Sequence, residues 1–142
     1  MTQHRSIREL MTTNPTTVEP SAPVVDAARV MKQQDVGPVP VVENGDRLAG
    51  IVTDRDIVLR VVAEGGDPQS TTVGEIMSRD LATVDPDQPL DEALRLMARH
   101  QVRRLPVCEE DGRLVGIVAQ ADIATELGDD RVTGQVVEEI SR

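Results

Sequence analysis

Shifting the chain by 66 residues lays Met11 on Met77, Val18 on Val84, Pro20 on Pro86, Pro23 on Pro89 and Ala27 on Ala93. The match runs on through Met31 on Met97, Val36 on Val102 and Pro40 on Pro106. It closes with Gly50-Ile51-Val52 on Gly116-Ile117-Val118 and Asp56-Ile57 on Asp122-Ile123. Between Glu9 and Ile57 no gap is needed, and roughly two in five positions are identical. A repeat this long is a complete supersecondary module that cannot bury its apolar face alone. Two copies are therefore expected to pack face to face as one domain with pseudo-two-fold symmetry. Function is expected where the copies meet and at positions where they differ.

Each copy carries the same punctuation. Thr16-Thr17-Val18 is β-prone and is stopped by Glu19-Pro20. Ser21 suits an N-cap, Pro23 suits a first helical turn, and Val24, Ala27, Ala28 and Met31 recur at helical spacing. Gly37 to Val42 reads as a strand, Glu43-Asn44-Gly45-Asp46 as a hairpin turn and Leu48 to Thr53 as the return strand. Asp54 then opens a helix through Val62. In the second copy Ala82–Val84, Pro89–His100, Arg104–Cys108, Arg113–Ala119 and Gln120–Leu127 take the same roles. Short helices, Ile7–Met11 and Val73–Met77, precede the first strands. The pattern predicts an α/β (α+β) fold with repeats at 7–63 and 73–127, a polar linker at 64–72 and a C-terminal helical extension at 128–142. Within that extension Val132, Val136, Val137 and Ile140 recur at helical spacing.

Composition narrows the function. At 142 residues the chain can bury about two-thirds of its unfolded surface without disulfides or metals. A single cysteine allows no internal disulfide and points to a reducing, cytoplasmic setting. The first ten residues have no signal-peptide pattern, and no apolar run approaches the roughly 20 residues of a membrane span. A net charge of −10 opposes phosphate-backbone binding. With no Phe, Tyr or Trp, no aromatic platform can stack single-stranded bases. Neither nucleic acid nor membrane is expected as a partner, and any base held here must sit between aliphatic side chains.

The sharpest local motif is Gly50-Ile51-Val52-Thr53-Asp54-Arg55-Asp56. A strand ends in a hydroxyl residue, and a carboxylate follows three positions later in the first turn of a helix. Simple N-capping explains such a pair. A carboxylate also offers two adjacent acceptor oxygens that suit the vicinal hydroxyls of a ribose. The second copy reads Gly116-Ile117-Val118-Ala119-Gln120-Ala121-Asp122, so it keeps the carboxylate and loses the hydroxyl. Charge differs too: Val36-Gly37-Pro38 stands where the second copy has Val102-Arg103-Arg104. Adjacent arginines can be a solvated strand end or a phosphate clamp, because the guanidinium fork matches phosphate oxygens.

The repeat, the Met-Pro-Val-Pro rhythm and the Gly-x-x-Thr-x-x-Asp ending resemble a tandem pair of cystathionine-β-synthase (CBS) domains, or Bateman module. The resemblance covers about residues 7 to 127 and is nearest to small stand-alone bacterial CBS-pair proteins, including the hypoxic-response type. It implies adenosine-containing ligands held in clefts between the repeats, and a flat disc-like homodimer. By position it implies Thr53, Asp56 and Asp122 for ribose and Arg103 and Arg104 for phosphate. The adenine pocket of the cleft with Asp122 would be lined by Thr16, Val36, Gly37 and Pro38. That of the cleft with Thr53 and Asp56 would be lined by Ala82, Thr83 and Val102. Ala119 departs from the pattern.

Other residues read more plainly. Cys108 stands where the first copy has Val42 and suits packing on a core strand. His4, His100 and Cys108 have no metal-ligand spacing. No Walker loop, nucleophile elbow or His-centred triad is present. The chain thus reads as a regulatory module for AMP, ADP or ATP with no catalytic residue and no required cofactor. The alternative is a ligand-free interaction scaffold with decayed clefts, and a protein partner is left open. Homodimerisation is also expected from partly apolar helices, with Val24, Val30 and Val61 as examples.

Overall fold

The computed structural model describes residues 6–127, so the expected C-terminal extension lies outside the described residues. The elements in chain order are α1 (Ile7–Leu10), β1 (Thr12–Thr13), α2 (Val24–Gln34), β2 (Val39–Glu43), β3 (Arg47–Val52) and α3 (Asp54–Ile57). After a π-helical continuation of α3 over Val58–Val62 come α4 (Val73–Ile76), α5 (Leu90–His100), β4 (Arg104–Cys108), β5 (Leu114–Ala119) and α6 (Gln120–Leu127). In the second copy β4 and α6 have the expected bounds, and α5 and β5 begin one residue late. The stretches 16–18 and 82–84 do not form strands. Each makes one parallel bridge, Val18 to Val41 and Val84 to Val107, because Pro20 and Pro86 end the pairing two residues later. Ser21 does not cap α2. Pro23 occupies the N-cap with extended geometry, as Pro89 does for α5.

Two compact units form, and they cut the chain differently from the sequence repeats. Among the described residues one contains residues 16–81, and the other contains residues 6–15 and 82–127. The lead segments are exchanged. In the unit of residues 16–81, β2 pairs with β3 antiparallel, and Ser78 bridges Ile51. Its core is Val18, Val24, Ala27, Val39, Val41, Val52 and Val61 with Val73, Ile76 and Met77 from the second copy's lead. In the other unit the sheet order is β1-β5-β4, and Thr12 and Thr13 of the first copy's lead pair with Ile117 and Gly116. Its core joins Ile7 to Leu90, Ala93, Leu94, Met97, Leu105, Val107, Val118 and Ile123. Arg8 adds ion pairs to Asp87 and Glu109, both at 3.3 Å. At the surface such pairs contribute little to stability, so apolar burial fixes the lead.

Both hairpins carry a bulge at the same place, between Val41 and Val42 and between Val107 and Cys108. Asn44 and Gly45 take left-handed geometry (φ 52° and 94°) at the first turn, as the Asn-Gly pair suggested. Val24 and Val61, expected on partly open helix faces, are fully buried in the core, and Val30 packs against it. The apolar residues open to solvent on that helix are Val58, Leu59 and Val62, at 55%, 46% and 64% exposure.

Candidate nucleoside-binding site

In the unit of residues 16–81 the antiparallel hairpin ends at Val39 and Val52, which are paired, and Thr53 turns the chain into α3. Thr53 and Asp56 cap each other. The Asp56 amide donates to Thr53 Oγ1 at 3.1 Å, and the Thr53 amide donates to Asp56 Oδ2 at 2.9 Å. This is a reciprocal capping box, so the simple capping role is real. It leaves the Thr53 hydroxyl proton and the Asp56 Oδ1 lone pairs uncommitted to the cap. The Asp56 side chain is 14% exposed, and Arg60 Nε stands 3.9 Å from Oδ1. Arg60 also donates to the Ile76 carbonyl at 3.1 Å, which fixes the guanidinium beside the carboxylate. Sequence reading passed over Arg60, although its spacing of four from Asp56 on one helix was visible.

The same unit holds Thr16, Val36, Gly37 and Pro38. Thr16 is exposed and the other three are half-buried. The Asp54 amide donates to the Gly37 carbonyl at 3.3 Å, which ties the 36–38 stretch to the first turn of α3. A Cβ at Gly37 would lie only 3.2 Å from Asp54 Oδ1, so the carboxylate rests against bare backbone.

The other unit holds Ala82, Thr83, Val102, Arg103, Arg104 and Asp122. Arg104 pairs with Ala119 across β4 and β5, and the Gln120 amide donates to the Arg103 carbonyl at 2.8 Å. Both arginines are exposed, as are Asp122, Thr83 and Val102, and Ala82 packs against the core. Strand register therefore places the two guanidinium-bearing residues beside the turn that carries Asp122. Ala119 offers no hydroxyl to the Asp122 amide, so the Thr53-type cap is missing here. Gln120 is buried, and its Nε2 has no hydrogen-bond partner among the described residues. The matched amide bonds, Asp54 to Gly37 and Gln120 to Arg103, show that the two turns are built alike.

Two other features lie apart from these residues. A surface hollow of about 450 Å³ is lined by Asp85, Asp87, Glu109, Glu110, Asp111 and Arg113, and its carboxylates do not suit a phosphate. Cys108 is half-buried on β4, and burial pushes its thiol up to about 11, away from a reactive thiolate. No helix among the described residues is long and apolar enough to cross a membrane.

Comparison with known proteins agrees with the duplicated architecture. The CBS-domain family model matches residues 7–63 and again 73–129. CBS domain-containing protein YhcV of Bacillus subtilis is 45% identical over 136 residues, 96% of this chain and 95% of that protein. Hypoxic response protein 1 of Mycobacterium tuberculosis is 42% identical over 120 residues, 84% of this chain and 83% of that protein. The crystal structure of Hypoxic Response Protein I superposes with a TM-score of 0.78 at 41% identity, covering 85% of this chain and 98% of that one. The crystal structure of CBSX2 in complex with AMP superposes with a TM-score of 0.74 at 26% identity, covering 89% and 98%. Two repeats, two like-built turns and these matches together show that the chain belongs to the CBS-domain family, as a CBS pair.

Proposed function

We propose that this CBS pair is a regulatory, non-catalytic module of the cytoplasm that binds an adenine nucleotide, AMP, ADP or ATP. Asp56 and Asp122 hold ribose hydroxyls, Thr53 adds a hydrogen bond, and Arg103 and Arg104 hold phosphate. Aliphatic and backbone surface at Thr16, Val36, Gly37, Pro38, Ala82, Thr83 and Val102 takes the base. The observation that carries this reading is the pair of like-built turns, each presenting a matched carboxylate, Asp56 or Asp122, in the first turn of the helix after its return strand. The AMP complex of CBSX2 supports the ligand class. Ligand that binds only the folded state stabilises it, by about 2.7 kcal/mol at 100 times the dissociation constant. AMP, ADP or ATP is therefore expected to raise the melting temperature. If none of AMP, ADP, ATP, S-adenosylmethionine or NAD moves the melting curve at millimolar concentration, the module is an interaction scaffold. The complete capping box at Thr53 and Asp56 favours that second reading, since it gives both residues a structural role.

Homodimerisation belongs to the same proposal. Val58, Leu59 and Val62 form an apolar stripe on one helix, which a second copy would cover. Light scattering at micromolar concentration is expected to give about twice the chain mass of 15.4 kDa. Leu59→Asp is expected to halve that mass without lowering helix content. A wild-type mass near 15.4 kDa contradicts the dimer.

A further inference from the structure

The apolar stripe on the helix that begins at Asp54 is charged at both ends. Val58, Leu59 and Val62 face solvent, while Val61 is buried and Ile57 packs against the core. Arg55 comes four residues before Leu59 and Glu64 five residues after it, so a cation and an anion flank the stripe almost evenly. Both are exposed, and neither pairs with another described residue. The other charges on this helix are engaged. Asp54 lies against Gly37, with Oδ1 3.2 Å from the point a Cβ would occupy. Arg60 stands beside Asp56 and donates to the Ile76 carbonyl. The matching helix of the second copy, α6, is built otherwise: Ala121 stands in the place of Arg55, and Ala124 and Thr125 in those of Val58 and Leu59. Apart from Val102, the described residues expose no large apolar side chain outside the stripe.

We propose that the stripe packs on the same stripe of a second copy across a two-fold axis, with the two helices antiparallel and Leu59 against the partner's Leu59. A two-fold contact brings one patch from each chain together, so the patch must complement itself. This one does. Reversing the helix sets Arg55 of each chain opposite the partner's Glu64, so that two opposite-charge pairs close a rim around an apolar centre. Val58, Leu59 and Val62 then leave water on both sides at once. Packing the stripe on α6 of the second copy instead would bury Leu59 against the hydroxyl of Thr125 and set Glu64 opposite Ala121, which has no charge to offer. The inference rests on the homodimer reading above and names the face by which the second copy binds.

Mixing two charge-reversed variants of the full chain tests it by analytical ultracentrifugation. Arg55→Glu alone sets like negative charges together at both ends of the contact, and Glu64→Arg alone sets like positive ones. Each is expected to raise the dimer dissociation constant about tenfold, because two exposed attractions become repulsions. An equimolar mixture of the two restores opposite charges at both ends and is expected to associate within about threefold of wild type. The double variant Arg55→Glu/Glu64→Arg restores them within one sequence and is expected to do the same. All these differences should shrink at high salt. Both positions are exposed, and melting curves like that of wild type show each variant folded. If wild type is dimeric and the mixture associates no better than its parts, the stripe-on-stripe contact is overturned and the homodimer reading stands. Single variants that associate like wild type, or a dimer that survives Leu59→Asp, overturn it in the same way. If the wild-type mass stays near 15.4 kDa, both fall together.

Discussion

Asp56→Ala is expected to weaken adenine-nucleotide binding by about 1.5–3 kcal/mol, roughly ten- to a hundredfold. On the proposed reading its carboxylate accepts from ribose hydroxyls as a charged group, and such bonds are the stronger kind. Asp56 also closes the capping box with Thr53, so alanine costs stability too, about 1 kcal/mol. Asp56→Asn separates the two effects. Its amide oxygen can still accept from the Thr53 amide, while the charge is gone. Loss of affinity in a variant that melts like wild type assigns the residue to the ligand. Asp122→Ala is expected to cost less, because that turn lacks the neighbouring hydroxyl. Ala119→Thr supplies it and is expected both to tighten binding about two- to tenfold and to cap α6. A larger loss from Asp122→Ala than from Asp56→Ala would mean that arginine–phosphate contacts set the ranking.

The second large effect concerns the exchanged lead segments. A Cβ at Gly50 would lie 2.7 Å from the Ser78 carbonyl oxygen and 2.9 Å from Met77 Sδ. At Gly116 it would lie 2.7 Å from Met11 Sδ and 2.9 Å from the Thr12 carbonyl oxygen. Methionine can swing aside, but a backbone oxygen held by strand bridging cannot. Gly50→Ala and Gly116→Ala are each expected to destabilise by about 2–3 kcal/mol. The melting temperature should fall by about 5–10 °C. Gly45→Ala serves as the control. Its φ of 94° also disfavours a side chain, but nothing lies within 4 Å, so only the cost of about 1 kcal/mol for left-handed backbone remains. Equal losses at Gly45 and Gly50 would show that backbone conformation, not the lead's close approach, explains the glycines.

The sequence displayed much of this because the repeat gave two readings of each element. The apolar runs at 104–108 and 114–119, bounded by turn residues, read directly as β4 and β5. Proline marked where pairing fails at residues 20 and 86. Exchange of the leads was invisible, since Met11 and Met77 match each other in sequence while each packs against the other copy's glycine. That choice is tertiary. The helix after Asp54 misled for a different reason. Its π-helical turn over Val58–Val62 breaks the 3.6-residue period, so Ile57 and Val61 turn inward while Val58, Leu59 and Val62 face solvent. At the site, the motif named Thr53, Asp56 and Asp122 directly. Asp54 and Gln120 drew no notice there, although the 66-residue shift lays a charge on a neutral amide at that point.

Direct titration of the purified wild-type chain with AMP, followed by calorimetry, bears most closely on the central claim. A saturable heat with a dissociation constant in the micromolar range, weakened at least tenfold in Asp56→Asn of unchanged fold, is the expected result. A folded wild-type protein that gives no heat and retains no AMP in equilibrium dialysis at millimolar concentration would contradict it.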